Sequence, residues 1–288
     1  MVGSSMYPCF KEKGYEVLAT DKDVNETWLS FLDVRELDKV REAVEAFNPD
    51  VIIHLAALTS LEYCEENLED SFKTNYLATK NLAEIAKERN IPIVYTCTAG
   101  IFDGKSKEYE DESYPNPINI YGRTKLFGEL AVRHIAPKHF IIRPGWMFGG
   151  GKKDKKFVSY ILSQMQSGAK SFKVVNDTFG TPTYTYDLAR NIEALINTDK
   201  YGVYNMVCKG KTNRIEIAKE IIRLLNMKDA KIEPVSSDFF KEKFSVPRAQ
   251  SECLLNKNLD AKGLNLMSDW SKALEHYIQK DWNHLIIN

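Results

Sequence analysis

Thr98, Tyr121 and Lys125 are the residues whose types and spacing could do chemistry. The run Tyr121-Gly-Arg-Thr-Lys125 sets a phenol and an ammonium four residues apart. On a helix such residues share one face, one turn above the other. An ammonium beside a phenol favours the phenolate and lowers a pKa that is ordinarily about 10. A phenol so tuned exchanges a proton with a carbonyl or alcohol oxygen near neutral pH. Thr98 stands at the end of an apolar run, where its hydroxyl would hydrogen-bond the same substrate oxygen. Lys125 would also bind the ribose of a nicotinamide cofactor, whose hydride the protein positions but does not supply. Taken alone, a tyrosine and a lysine at this spacing are far more often a plain surface pair, so the surrounding elements decide.

Those elements alternate. Residues 1–13 read as a helix with Gly14 as its C-cap, and residues 15–20 as a strand tipped by Asp21. A helix followed by an acid-tipped strand is the second half of a βαβ dinucleotide unit. Asp21 would grip the ribose 2′- and 3′-hydroxyls, favouring NADH over NADPH; its plainer role is a turn cap. The first half of the unit, an apolar strand and a glycine-rich turn, is not in the sequence. Gly3 would be the last glycine of that turn, the one that lets the helix pack close to the sheet. The chain is thus expected to start inside a motif, with Met1 an internal methionine. Poor NADH binding and aggregation through opened sheet edges are the expected consequences.

Further on, residues 29–34 give a short strand ending at Asp33, and residues 34–47 a helix. Residues 51–55 are apolar on both faces, which suits a central parallel strand, and the small Ala56 and Ala57 follow it. A long amphipathic helix over 69–89 carries Asn75, and the strand 91–96 runs into Cys97 and Thr98. After a polar loop come the helix of Tyr121 and the strand 139–143. This alternation predicts an α/β fold with a doubly wound parallel sheet that lacks its first strand. Ligands of such sheets bind beyond the carboxyl ends of the strands, where Asp21, Ala56 and Thr98 fall. The glycine-rich stretch 144–151 is discounted as a phosphate loop because no Gly-Lys-Ser/Thr helix start follows it. Beyond Gly151 the pattern changes. Residues 1–150, rejoined by 177–207, form the expected dinucleotide-binding domain, and residues 151–176 and 208–288 a smaller substrate-binding lobe.

The composition narrows the partners. A net charge of −1 over 288 residues argues for neither a nucleic-acid nor a membrane-surface partner. Five scattered cysteines without a CxxC pair read as reduced thiols in a cytoplasmic protein, with no zinc site. Cys97 reads as a packed small residue, and His54, inside an apolar strand, as a core histidine.

Four stretches together resemble a known family. Val-Ile-Ile-His-Leu-Ala-Ala-Leu-Thr (51–59), Thr-Cys-Thr-Ala-Gly-Ile-Phe-Asp-Gly (96–104), Pro-Asn-Pro-Ile-Asn-Ile-Tyr-Gly-Arg-Thr-Lys (115–125) and residues 174–189 are similar to the dTDP-4-dehydrorhamnose reductases. These belong to the extended short-chain dehydrogenase/reductases, which have a Rossmann-like fold. The resemblance runs nearly end to end. It implies NAD(P)H-dependent reduction of the 4-keto group of a nucleotide-linked deoxysugar. By position it puts Thr98, Tyr121 and Lys125 on the catalytic triad. Asp21, Asp33, Val34, Ala56, Ala57, Leu58 and Thr96 fall on cofactor contacts, with Gly3 ending the glycine fingerprint. Trp146 falls on a tryptophan that packs against the sugar, and Arg248 on a signature near the nucleotide diphosphate. That late signature survives only as Arg248-Ala-Gln-Ser251, and Ala99-Gly100 replace an aspartate and a tyrosine, which leaves the sugar open. An epimerase or dehydratase on the same scaffold and a non-catalytic regulatory subunit are the alternatives. A homodimer stays open as a partner.

Overall fold

The computed structural model describes residues 1–242 and 244–286. Helix α1 (Val2–Glu12) leads, burying Val2, Met6, Cys9 and Phe10 along one stripe. Gly14, at φ 82°, turns the chain out of it. Of the strand expected over 15–20, only the tip, β1 (Thr20–Asp21), is hydrogen-bonded as strand, parallel to β2 (Ser30–Phe31). Helix α2 (Leu37–Phe47) follows, then β3 (Ile52–His54).

The helix expected over 69–89 is built in pieces. After α3 (Leu61–Glu66), α4 (Leu68–Phe72) widens into a π-turn (Lys73–Leu77) that holds Asn75, and continues as α5 (Ala78–Glu88). Then come β4 (Ile93–Thr96), α6 (Ile120–Ile135), β5 (His139–Arg143) and β6 (Trp146–Phe148). Next are α7 (Phe157–Gln166), β7 (Ser171–Val175), β8 (Phe179–Gly180), β9 (Pro182–Tyr184) and α8 (Thr185–Ile196). The chain ends with β10 (Gly202–Asn205), β11 (Thr212–Asn213), α9 (Arg214–Leu224), β12 (Lys231–Val235), β13 (Ser251–Glu252), α10 (Lys257–Ala261) and α11 (Trp270–Asp281).

A four-stranded parallel sheet in the order β10-β5-β4-β3 is the frame. β4 is fully buried, as a strand covered on both faces must be. β3 departs from the sequence expectation. Its run 51–55 reads as a central strand, yet it pairs with β4 on one side only, and Ile52 and Ile53 are half-exposed. The β1–β2 pair stands apart as a separate sheet. Val17, Leu18, Val51 and Ile53 line the cavity that opens between β1 and β3. Beyond the main sheet the strands are short: β6 with β9, β7 with β12, and β11-β8-β13.

Helix α6 lies tight against this frame. A Cβ on Gly122 would sit 2.2 Å from the Gly100 carbonyl oxygen, and one on Gly128 2.5 Å from the Tyr95 hydroxyl. No side chain fits at either position. A buried ion pair fastens the other end of the helix. Arg143 of β5 donates to Glu129 at 3.0 and 2.5 Å and to the Asp111 carbonyl at 2.7 Å. Removing one partner of such a pair strands a buried charge, at a cost of about 3–5 kcal/mol. Among the described residues no helix is long and apolar enough to cross a membrane.

The unpaired side of β3 is testable. The Ile52 N–H donates to the Pro92 carbonyl at 3.0 Å, so the N–H groups of Ile53 and Leu55 point away from β4. In native-state hydrogen exchange those two amides should exchange roughly 100-fold faster than that of Ile93, which is bonded within the sheet. Equal protection would mean that the edge is closed.

Candidate active site

Beyond the carboxyl ends of β3 and β4 lies a cavity of about 2050 Å³, and Thr98 and Tyr121 both line it. Asn119 begins α6: its side chain accepts the Gly122 N–H at 2.8 Å and donates to the Pro247 carbonyl at 3.0 Å. That cap aims the first turn, with Tyr121, into the cavity. Thr98 accepts the Gly100 N–H at 3.1 Å, which fixes its rotamer. A Cβ on Gly100 would lie 3.4 Å from Thr98 Oγ1 and 3.5 Å from the Tyr121 ring. The two hydroxyl-bearing side chains therefore flank one small space.

The electrostatics differ from the sequence expectation. Burial pushes the Tyr121 phenol above its usual range and the Thr98 hydroxyl pulls it only partly back, so the phenol is raised where adjacency to Lys125 is expected to lower it. Lys125 is nearly fully buried and does not open on the cavity; its Nζ lies 4.3 Å from the centre of the Tyr95 ring. Desolvation lowers its pKa to about 8. The reason is general: losing water penalises a phenolate and an ammonium alike, and here it is the leading effect on both groups.

The expected cofactor contacts divide. Gly3, Asp21, Asp33, Val34, Ala56, Ala57 and Leu58 all line the cavity. Leu58 is pinned by Asn75, which accepts its N–H at 2.9 Å, donates to its carbonyl at 3.0 Å and reaches Thr124 of α6 at 3.1 Å. Asp21 caps a turn through Asp23 N–H at 3.0 Å, using one carboxylate oxygen. Asp33 is occupied by Arg35, whose guanidinium holds its carboxyl below the usual range. Thr96 is buried behind the wall, its hydroxyl without a partner. Gly3 does not show the close packing expected of it: a Cβ there would meet only Leu55, at an ordinary 3.9 Å.

A dinucleotide suits this lining. The first turn of α1 faces the cavity through Val2, Gly3 and Ser4, and no side chain caps it. Its N–H groups are those a pyrophosphate takes. On the opposite wall Trp146 donates its indole N–H to Glu252 at 2.5 Å. Arg248 also lines the cavity, but its charge is matched by Glu62 at 2.6 Å. His54 is a core residue, bonded to Thr79 at 3.0 Å and drawn to a pKa of about 3 by burial. Burial likewise raises the Cys97 thiol, which makes it a poor nucleophile.

Residues 1–282 match the RmlD substrate binding domain family. The chain belongs to it. It is 30% identical over 287 residues to a dTDP-4-dehydrorhamnose reductase of Aggregatibacter actinomycetemcomitans, covering 96% of this chain and 94% of that one. It is 26% identical over 275 residues to methionine adenosyltransferase 2 subunit beta of Danio rerio, covering 93% and 84%. Among solved structures, the dTDP-4-dehydrorhamnose reductase of Bacillus anthracis in complex with NADP superposes with a TM-score of 0.88 at 28% identity, covering 97% of this chain and 95% of that one. The fold of this family member is accordingly Rossmann-like, of the extended short-chain dehydrogenase/reductase kind.

The structure adds residues that sequence reasoning missed. Glu252 and Arg214 meet at Trp146 from separate elements. Arg214 did carry one signal: it opens a helix, where a cation opposes the helix dipole. Glu129 and Arg143, which hold α6 in place, are ordinary charged residues until they are seen to be buried together.

Proposed function

We propose that this chain reduces the 4-keto group of a nucleotide-linked deoxysugar, as a dTDP-4-dehydrorhamnose reductase does, with a dihydronicotinamide cofactor. The observation that carries it is the pair Thr98 and Tyr121 flanking one space at the strand ends, with Lys125 buried a turn behind. Bound dihydronicotinamide supplies the hydride. Thr98 Oγ donates to the ketone oxygen and orients it. Tyr121 Oη gives that oxygen its proton as it becomes an alkoxide. Its raised pKa keeps the Tyr121 phenol protonated but makes it a weaker acid, and the transfer still runs downhill because the alkoxide formed from the ketone is a stronger base than the phenolate. Lys125, a turn behind, would hold the cofactor ribose and stabilise the phenolate left behind once its Nζ turns from the Tyr95 ring to the cavity.

The first turn of α1 would take the pyrophosphate, and Asp21, with one carboxylate oxygen uncommitted, the adenosine ribose. That carboxylate repels a 2′-phosphate and so favours NADH over NADPH. The Ala56–Leu58 segment and Val34 would flank the adenosine side. The lobe of residues 151–176 and 208–288 would close over the sugar, with Trp146 against its ring. A second reading, a regulatory subunit, is favoured by the similarity to methionine adenosyltransferase 2 subunit beta.

Incubation with a dTDP-4-keto-6-deoxyhexose and NADH or NADPH separates the readings. One dihydronicotinamide consumed per alcohol formed is the expected result. Product without net consumption points to an epimerase or dehydratase, and no conversion points to the regulatory subunit. Lys125 adds a pH signature. Its ammonium is present below a pKa of about 8 and lost above it, so cofactor affinity should fall as pH rises through that value. A fluorescence titration of the cofactor checks this: the pH dependence should disappear in Lys125→Met, and its persistence there would assign it to another group.

A further inference from the structure

Two arginines, Arg214 and Arg248, line the same cavity as Tyr121, and they differ in one respect. Arg248 is neutralised by Glu62. Arg214 lies across Trp146, its guanidinium carbon 4.6 Å from the centre of that ring and 5.0 Å from that of Phe157. Among the described residues no carboxylate pairs with it. Glu252 and Arg248 act on it only at longer range, and burial pulls its pKa below the usual guanidinium range. Its place at the start of α9 sets the charge against the positive end of a helix dipole as well. A half-buried cation, set against two rings and unpaired among the described residues, has its donors free for an anion in the cavity that it lines.

The surroundings say which anion. Trp146 cannot move away: a Cβ on Gly180 would lie 2.5 Å from its Cε2, and Glu252 holds its N–H at 2.5 Å. Glu252 and Arg214 thus both meet the indole of Trp146, and Tyr121 lines the same cavity. A sugar whose ketone sits between Thr98 and Tyr121, with its ring on Trp146, sends its anomeric substituent towards Arg214. In a nucleotide sugar that substituent is a phosphate. We propose that Arg214 is the anchor for the sugar-linked phosphate of the substrate, held flat by Trp146 and Phe157 and presenting its planar donor fork to two phosphate oxygens. This rests on the nucleotide-sugar reading above. Glu252 is then a positioning residue, which fixes the indole that carries the guanidinium.

Calorimetric titration of the full chain with dTDP, and with thymidine as the probe lacking phosphates, tests the anchor. R214Q should weaken dTDP binding by about tenfold or more and leave thymidine binding as in the wild type. R214K, which keeps the charge and loses the fork, should weaken it by roughly threefold. R223Q, an exposed arginine of the same helix paired with Glu220, should bind as the wild type does. In turnover, R214Q should raise KM far more than it lowers kcat. A folded R214Q with wild-type dTDP affinity overturns the anchor; if R214Q does not fold, wild-type affinity in R214K does so. dTDP binding that depends on Arg214 in a chain that reduces no ketosugar sinks the activity and keeps the anchor. Turnover with dTDP affinity indifferent to Arg214 does the reverse.

Discussion

The distance between α6 and the sheet is the constraint on which the site depends. Two glycines set it. At Gly122 the helix backbone meets the Gly100 carbonyl, and at Gly128 it meets the Tyr95 hydroxyl. Side chains at those points would lift the helix by the width of a methyl group or more. Tyr121 and Lys125 ride on the same helix, so lifting it would carry the phenol away from Thr98. The buried pair of Arg143 and Glu129 then fixes the helix along its length, and Asn75 ties it through Thr124 to the loop at Leu58. One helix is thus locked to three strand ends by contacts that leave no room for adjustment. A proton donor needs that rigidity, because proton transfer is effective only within hydrogen-bond reach.

Desolvation is the second theme. Tyr121, Lys125 and Arg214 are all shifted chiefly by the loss of water, each towards its neutral form. By themselves those shifts are unfavourable electrostatics held in place by packing. A ligand with a ketone at one end and phosphates at the other would relieve them. Sites of chemistry are where such unrelieved groups gather, and here Tyr121 and Arg214 line one cavity with Lys125 buried a turn behind the phenol.

How much of this was legible in the sequence follows from how local each feature is. Tyr121 and Lys125 share a helix, and β4 and β5 are short apolar runs between turn signals, so spacing alone located them. Thr98 was readable because a strand end is a local event. The exposure of β3 was not, since the run 51–55 is apolar on both faces whether or not a neighbour covers it. The sign of the Tyr121 shift was not either: adjacency to Lys125 is visible in sequence, but the depth of burial that outweighs it is a property of the whole fold. β8, β11 and β13, at two residues each, are too short to show any period. Glu252 and Arg214 come from distant segments, and only the fold brings both to Trp146.

Everything turns on the phenol as proton donor, and Tyr121→Phe isolates it by removing one oxygen from a side chain that keeps its shape. Single-turnover reduction of a dTDP-4-keto-6-deoxyhexose, with cofactor binding measured in parallel, is the direct measurement. The expected result is a rate lower by about 100-fold or more with cofactor affinity retained. Reduction of the ketone at the wild-type rate by the Tyr121→Phe variant would contradict it, and the proton would then have to come from another group.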